Sequence, residues 1–275
     1  MTSSTSATTA TMHNPEHWYE FGLMRAPGLV RLAMEWRAPW EYGVTLLAQP
    51  WLAQAPQGDG HPVMLFPGLM ASDTSTKPLR RYLEAKGYLA VGWGMGANLG
   101  PREGVLASCE QLLKELRRTH KRKVSLIGWS LGGIYAREMA KDFPKEVRQV
   151  ITLGTPFTGH PKATNAWRLY EIVTGHRIGA PEVHEPLRAP PPVPTTSIYS
   201  RTDGVVAWQC SVEKAGPLTE NIEIDASHFG LGLNPLAWWA IADRLAQPEG
   251  DWRPFDRGQG WREWLYRDPK RKGWF

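Results

Sequence analysis

Near the middle of the chain lies the segment Lys123-Val-Ser-Leu-Ile-Gly-Trp-Ser-Leu-Gly-Gly-Ile-Tyr-Ala-Arg137. Its pattern is the strongest indication of the fold. The apolar residues of 124–127 predict the end of a buried parallel strand, and the segment 134–141 predicts the helix that follows. Between them, 128–133 contains three glycines and one serine, Ser130. The spacing Gly-x-Ser-x-Gly predicts a sharp turn from strand to helix with Ser130 at its apex.

The predicted turn places the Ser130 hydroxyl at the carboxyl end of a sheet. A side chain at such an apex sits in a strained backbone region, and Gly128 and Gly132 leave room for the chain to reverse. The following helix points its N-terminus at the same place, so its backbone N–H groups can stabilise negative charge on a substrate oxygen. We therefore expect Ser130 to be a nucleophile.

Strand and helix patterns alternate along the rest of the chain. The predicted strands are 62–66, 88–93, 147–153, 195–200 and 221–224, and the predicted helices are 75–86, 103–120 and 235–246. Such alternation is typical of βαβ units, in which right-handed crossovers build a parallel sheet covered by helices. We therefore predict an α/β fold.

The length of 275 residues favours one large domain over two independent ones. We expect a disordered leader over 1–14 and one domain over 15–275, which begins with a helical extension over 15–60. Apolar residues recur in this extension at helical steps, which predicts faces that pack on the core or meet a partner. The alternation stops in a Pro-rich insertion over 157–194, and a Trp-rich basic tail covers 249–275.

Composition excludes several classes of protein. The net charge of +5 comes with only 21% charged residues and no long basic block before the C-terminus, so we expect no nucleic-acid partner. The charge allows weak attraction to anionic surfaces, but no feature indicates membrane contact. No secretory signal or apolar run of about 20 residues occurs, which favours the cytoplasm. Cys109 and Cys210 form no disulfide framework or metal motif.

A serine hydroxyl needs a base to take its proton and an acid to orient that base. Asp203 and His228 each follow a predicted strand, so both should reach the sheet edge that carries Ser130. No histidine follows His184 except His228, which makes it the candidate base. Asp225, three residues before His228, is an alternative acid.

These residues resemble the catalytic segments of the α/β-hydrolase superfamily, especially its lipase and esterase members. The resemblance rests on the Gly-x-Ser-x-Gly turn, the order serine, acid, histidine, and the segment Leu153-Gly-Thr-Pro-Phe157. It implies a mostly parallel sheet flanked by helices, with a short cap insertion after the strand that follows the turn. It also implies a Ser130-Asp203-His228 triad.

The same resemblance implies an oxyanion hole made of two backbone N–H groups. One belongs to Leu131, directly after the serine. The other belongs to the loop Phe66-Pro-Gly-Leu69, in which Pro67 stands where many bacterial lipases have histidine. Leu69 is the matched donor in that loop, and Met70 is the alternative.

The implied reaction is the hydrolysis of a carboxylic ester through an acyl-enzyme, without a metal or cofactor. An acyltransferase using the same acyl-enzyme, or a non-catalytic relative that only binds ligands, are the alternatives. The expected partner is a small-molecule or lipid ester, and the expected substrate-binding residues are Met70, Trp129, Phe157, Trp167, Tyr170 and Phe229. Of these, Trp167 and Tyr170 lie in the helix-like part of the insertion and should set substrate specificity.

Overall fold

The computed structural model describes residues 24–159, 161–174 and 187–270. The predicted leader and part of the Pro-rich insertion lie outside these residues. The described strands are β1 Pro62–Phe66, β2 Leu89–Gly92, β3 Val124–Trp129, β4 Val147–Leu153, β5 Thr195–Tyr199 and β6 Thr219–Glu223. The helices are α1 Leu29–Ala33, α2 Ala38–Leu47, α3 Gln49–Leu52, α4 Asp73–Ala85, α5 Val105–His120, α6 Leu131–Asp142, α7 Trp167–Thr174, α8 Pro235–Leu245 and α9 Arg262–Leu265.

The strands form one sheet in the order β2-β1-β3-β4-β5-β6, and every neighbouring pair is parallel. Strands β1, β3, β4 and β5 are buried along nearly their whole length because helices cover both faces of the sheet. The predicted fold class, a mostly parallel sheet flanked by helices, is confirmed. The carboxyl ends of all six strands therefore lie along one edge.

Two apolar clusters fill the space between sheet and helices. Successive strand residues point to opposite faces, so Leu65 and Ile127 pack in one cluster while Phe66 and Leu126 pack in the other. The first cluster is covered by α4 and α8, and the second by α5 and α6. This core fixes the height at which each strand ends, and hence where the loops begin.

Predicted and observed element ends differ by a few residues. Helix α4 begins two residues earlier than predicted because the Ser72 hydroxyl accepts a hydrogen bond from the N–H of Thr74 and caps the helix. Helix α6 begins at Leu131, directly after Ser130, and not at Ile134. The helix N-terminus therefore lies at the serine itself.

Several large apolar side chains between Gly28 and Leu47 are exposed to solvent. Leu29, Trp36, Trp40 and Leu47 are between 80 and 86% exposed. These four side chains therefore do not pack on the core, and the other expectation, that such residues meet a partner, stays a prediction. The side chains that turn inward from this segment include charged and polar ones.

Part of the Trp-rich tail folds back onto the core. The Trp261 ring lies 4.9 Å from the rings of both Trp51 and Trp239. Tyr266 is fully buried, and its hydroxyl donates to the carbonyl of Leu236. This part of the tail therefore closes the apolar cluster under α8.

Residues 161–174 of the insertion contact loops at the carboxyl edge of the sheet. Thr164 forms an antiparallel bridge with Val206, in the loop after β5. Further on, Tyr170 and Thr174 of α7 lie against Gly100, in the loop after β2. The insertion thus contacts loops from two strand ends. None of the described helices is long and apolar enough to cross a membrane.

Candidate active site

Ser130 occupies a strained turn between β3 and α6. Its backbone has φ 53° and ψ −123°, which is unusual for a residue with a Cβ atom. A Cβ at Gly128 would overlap Gly133, and a Cβ at Gly132 would overlap the Phe66 carbonyl. Both glycines are therefore required for β3 and α6 to approach closely enough to hold Ser130 in this conformation.

The structure brings Ser130, His228 and Asp203 together in one chain of hydrogen bonds. The Nε2 atom of His228 lies 2.9 Å from Ser130 Oγ, and its Nδ1 atom lies 2.7 Å from Asp203 Oδ2. Both His228 and Asp203 are 3% exposed. The other carboxylate oxygen of Asp203 accepts hydrogen bonds from the N–H groups of Val205 and Val206. This arrangement can move a proton from the serine to the imidazole.

The alternative acid, Asp225, has a different partner. Its carboxylate lies 2.7 Å from a guanidinium nitrogen of Arg267, and its side chain is 50% exposed. The geometry therefore connects His228 with Asp203, while Asp225 forms a surface ion pair with the tail.

The surroundings of His228 raise its pKa above the ordinary value of 6.5. Burial alone would lower this pKa, but the charge of Asp203, the hydrogen bond to it and the charge of Glu35 outweigh burial. A base with a raised pKa holds an abstracted proton more firmly. The same shift means that His228 becomes neutral, and able to accept a proton, only at a higher pH than a free imidazole.

Two backbone N–H groups belong to residues next to Ser130 in the chain or in space. Leu131 is the first residue of α6, so its N–H has no acceptor within the helix. Gly68 lies against Ser130, and Leu69 follows it. The N–H of Met70 donates to the Asn98 carbonyl at 2.6 Å, whereas the N–H of Leu69 has no acceptor among the described residues. The geometry thus favours Leu69 over Met70.

Asn98 is a residue of this site that sequence reasoning missed. It is fully buried, and its side chain donates to the Pro67 carbonyl at 2.8 Å. Its backbone bonds to both Met70 and Ala71. Asn98 therefore fixes the loop that carries Leu69. A lone asparagine in a glycine-rich run gives no sequence signal for this role.

The predicted substrate-binding residues are found in different environments. Met70 and Phe229 are 53 and 54% exposed, so substrate can reach them. The indole N–H of Trp129 instead donates to the His228 carbonyl at 3.0 Å, and its ring packs against Gly232. Trp129 therefore supports the histidine loop from the core side.

Phe157 and the two residues of α7 are separate cases. Phe157 is 2% exposed, and its ring stacks under the guanidinium of Arg137 at 3.7 Å, so it is a packing residue. Trp167 is half-buried beside the cations of Lys162 and Arg168. Tyr170 is also half-buried, and burial raises the pKa of its hydroxyl.

A second Ser-His-Asp set lies at the opposite end of the same sheet. The Nε2 atom of His61 lies 2.8 Å from Ser125 Oγ, and its Nδ1 atom lies 2.5 Å from Asp59. Burial, helped by the cation of Arg148, lowers the pKa of His61 to about 4 against the opposing effect of Asp59. Ser125 lies near the amino end of the inner strand β3 and is fully buried, so no substrate can reach it.

No described residues form a cluster of three His, Cys, Asp or Glu side chains that could hold a metal ion.

Comparisons with known proteins agree with this fold. A model of the alpha/beta hydrolase family matches residues 63–271. Among solved structures, Aspergillus fumigatus lipase B is 18% identical with a TM-score of 0.57; the match covers 77% of this chain and 58% of that one. Mature Bacillus licheniformis lipase BlEst2 is 17% identical with a TM-score of 0.52, over 70% of this chain and 95% of that one. The structural similarity shows the fold alone. No curated protein sequence matches this chain.

The raised pKa of His228 predicts how the reactivity of Ser130 depends on pH. The rate at which a fluorophosphonate modifies Ser130 should fall below a midpoint that lies above 6.5, because protonated His228 cannot accept the serine proton. Asp203→Asn should move this midpoint downward and slow the reaction by orders of magnitude. Mass spectrometry of the modified peptide measures both effects.

Asp225→Asn is the matched control, because it removes an aspartate charge of the same loop region without touching His228. It should leave the midpoint and the rate unchanged. A larger effect for Asp225→Asn than for Asp203→Asn would identify Asp225 as the acid.

Proposed function

The chain belongs to the alpha/beta hydrolase family, and we propose that it is a serine esterase of the lipase and esterase type. In this proposal it cleaves carboxylic esters through an acyl-enzyme on Ser130. The observation that carries the proposal is the continuous hydrogen-bonded chain Ser130-His228-Asp203, placed at the N-terminus of α6. A serine so placed has a base, an oriented proton path and nearby oxyanion donors.

The first half of the reaction forms the acyl-enzyme. Ser130 Oγ attacks the ester carbonyl carbon while His228 Nε2 takes the hydroxyl proton. The carbonyl oxygen becomes an oxyanion that the N–H groups of Leu69 and Leu131 stabilise. When the tetrahedral intermediate collapses, the bond to the alcohol breaks and His228 gives its proton to the departing oxygen.

The second half regenerates the enzyme. Neutral His228 takes a proton from water, and the resulting hydroxide attacks the acyl carbon. The bond to Ser130 Oγ then breaks, His228 returns the proton to the serine, and the carboxylic acid leaves. Asp203 stabilises the imidazolium in both halves through the 2.7 Å contact with Nδ1.

The side chains open to solvent near the site favour an apolar ester. Met70 follows the proposed donor Leu69, Phe229 follows His228, and both are more than half exposed. The described insertion adds Trp167 and Tyr170 beside the loops of the carboxyl edge. We place the acyl or alcohol part of the substrate against this surface.

Ser130→Ala should abolish release of free acid from p-nitrophenyl esters and modification by a fluorophosphonate. Ser125→Ala should keep both activities, because Ser125 belongs to the buried set at the other end of the sheet. Spectrophotometry and intact-protein mass measure the two readouts. Unaltered mass of the wild-type protein after long exposure would contradict the proposal.

If the Leu69 N–H stabilises the oxyanion, two substitutions of Leu69 should differ in their effect on kcat. Leu69→Pro removes the donor and should cost about 2.7–4 kcal/mol of transition-state stabilisation, seen as a loss in kcat. Leu69→Ala keeps the N–H and should change kcat only slightly. Equal losses in the two variants would indicate a packing role for the side chain and would count against Leu69 as a donor.

The insertion predicts a change in specificity without a change in chemistry. Trp167→Ala or Tyr170→Ala should alter the ratio of kcat/KM for long and short acyl esters by about tenfold, the effect of losing one or two methylene contacts. Ile172→Ala is the matched control on the same helix, because its side chain is 79% exposed. An unchanged ratio in both test variants would make the insertion a connector only.

A further inference from the structure

The N-terminal segment contacts both loops of the proposed triad through one buried carboxylate. Glu35 is 5% exposed and lies in the short 3-10 helix Met34–Arg37. Its Oε1 atom accepts hydrogen bonds from the N–H of Gly204 at 2.7 Å and of His228 at 2.9 Å. Its Oε2 atom accepts from the N–H of Phe229 at 3.0 Å.

These three donors flank the two residues that must meet. Gly204 directly follows Asp203, while the other two N–H groups belong to His228 and its neighbour. Because Gly204 and His228 share one oxygen atom, neither loop can shift without stretching a charge-assisted hydrogen bond. Glu35 therefore fixes the distance between the loop that carries Asp203 and the loop that carries His228.

Two neighbours of Glu35 in the same segment hold the same loops. Arg37 donates to the carbonyl and hydroxyl of Thr202, which precedes Asp203. Glu41 accepts from the N–H of Ser227, which precedes His228, and forms an ion pair with Arg37 at 2.9 Å. The segment thus bonds to the residues on both sides of the acid and of the base.

Burial of a carboxylate is costly unless its oxygens are hydrogen-bonded. Among the described residues no cation forms an ion pair with Glu35, so the three N–H groups alone compensate its charge. Burial lowers the pKa of His228, but the negative charge of Glu35 acts together with Asp203 to raise it. Within the part of the chain that the structure describes, Asp203 and Glu35 are the charged groups that raise this pKa.

We propose that Glu35 is a positioning residue, which holds the Asp203–His228 contact in register and favours the imidazolium that forms when Ser130 is acylated. This inference rests on the proposed esterase function. It assigns to the segment before the sheet a part in the reaction, although Glu35 touches neither substrate nor the reacting atoms.

Glu35→Gln is the informative variant, because it keeps the shape of the side chain and an oxygen for Gly204 and His228. It removes the charge and turns an amide N–H₂ toward the N–H of Phe229. We expect kcat to fall about 10- to 100-fold, the cost of a small misplacement, with little change in KM. Titration of active sites with a fluorophosphonate corrects kcat for any unfolded protein.

The pH profile separates positioning from simple folding. In Glu35→Gln the acid-side midpoint of kcat/KM should move to lower pH, because a negative charge that raises the pKa of His228 is lost. Glu35→Asp keeps the charge and should keep the midpoint near that of the wild type, even if its shorter reach lowers kcat. Glu84→Gln, a change of an exposed glutamate on α4, is the matched control and should alter neither.

An NMR titration of the His228 ring in wild type and Glu35→Gln measures the same shift without any substrate. Equal His228 midpoints and equal kcat per active site in the two proteins would overturn the inference. A wild-type protein that neither hydrolyses esters nor reacts with the fluorophosphonate would overturn the proposed function instead. In that case a lower His228 midpoint in Glu35→Gln would still support the electrostatic part of the Glu35 role.

Discussion

The active site depends on one strained residue. Ser130 can hold φ 53° only because β3 and α6 meet at glycines, where any side chain would overlap the Gly133 backbone or the Phe66 carbonyl. The turn that carries Ser130 packs tightly against β1, and this packing maintains the strained backbone conformation. The same turn places the Ser130 hydroxyl and the first N–H of α6 at the same edge of the sheet.

The two Ser-His-Asp sets show that residue identity alone does not create this site. Ser125 and Ser130 lie five residues apart around the same strand, and each is within hydrogen-bond distance of an imidazole that contacts an aspartate. Ser125, however, lies inside β3, next to a shift in its register with β4, and is fully buried within the strand rather than at the N-terminus of α6. His61 has a pKa lowered to about 4, whereas the pKa of His228 is raised. The two sets therefore differ in their position on the sheet, in their access to solvent and in the direction of the histidine pKa shift.

The parts of the structure that sequence could predict are those encoded by local pattern. The strand-helix alternation and the turn at Ser130 depend on neighbours within a few residues. The placement of Ser130, Asp203 and His228 at one edge depends only on which end of a strand each loop follows. Glu35 and Asn98 could not be found in this way. Their roles come from contacts across 169 residues in one case and 31 in the other, with backbone N–H and carbonyl groups that carry no sequence signature.

Of the two expectations for the apolar residues of the N-terminal segment, core packing does not hold for its most exposed members, for a related physical reason. Apolar periodicity indicates a buried face only when a helix attaches through that face, and this segment attaches through the opposite one. Glu35, Arg37 and Glu41 turn inward to loop backbones that otherwise would lack partners, which leaves Trp36 and Trp40 outside. The proposed triad thus lies at the edge of the sheet, while the residues on both sides of His228 and Asp203 bond to a segment outside the sheet. Substitutions of the exposed residues of that segment can therefore change its surface contacts without altering its hydrogen bonds to the residues beside His228 and Asp203.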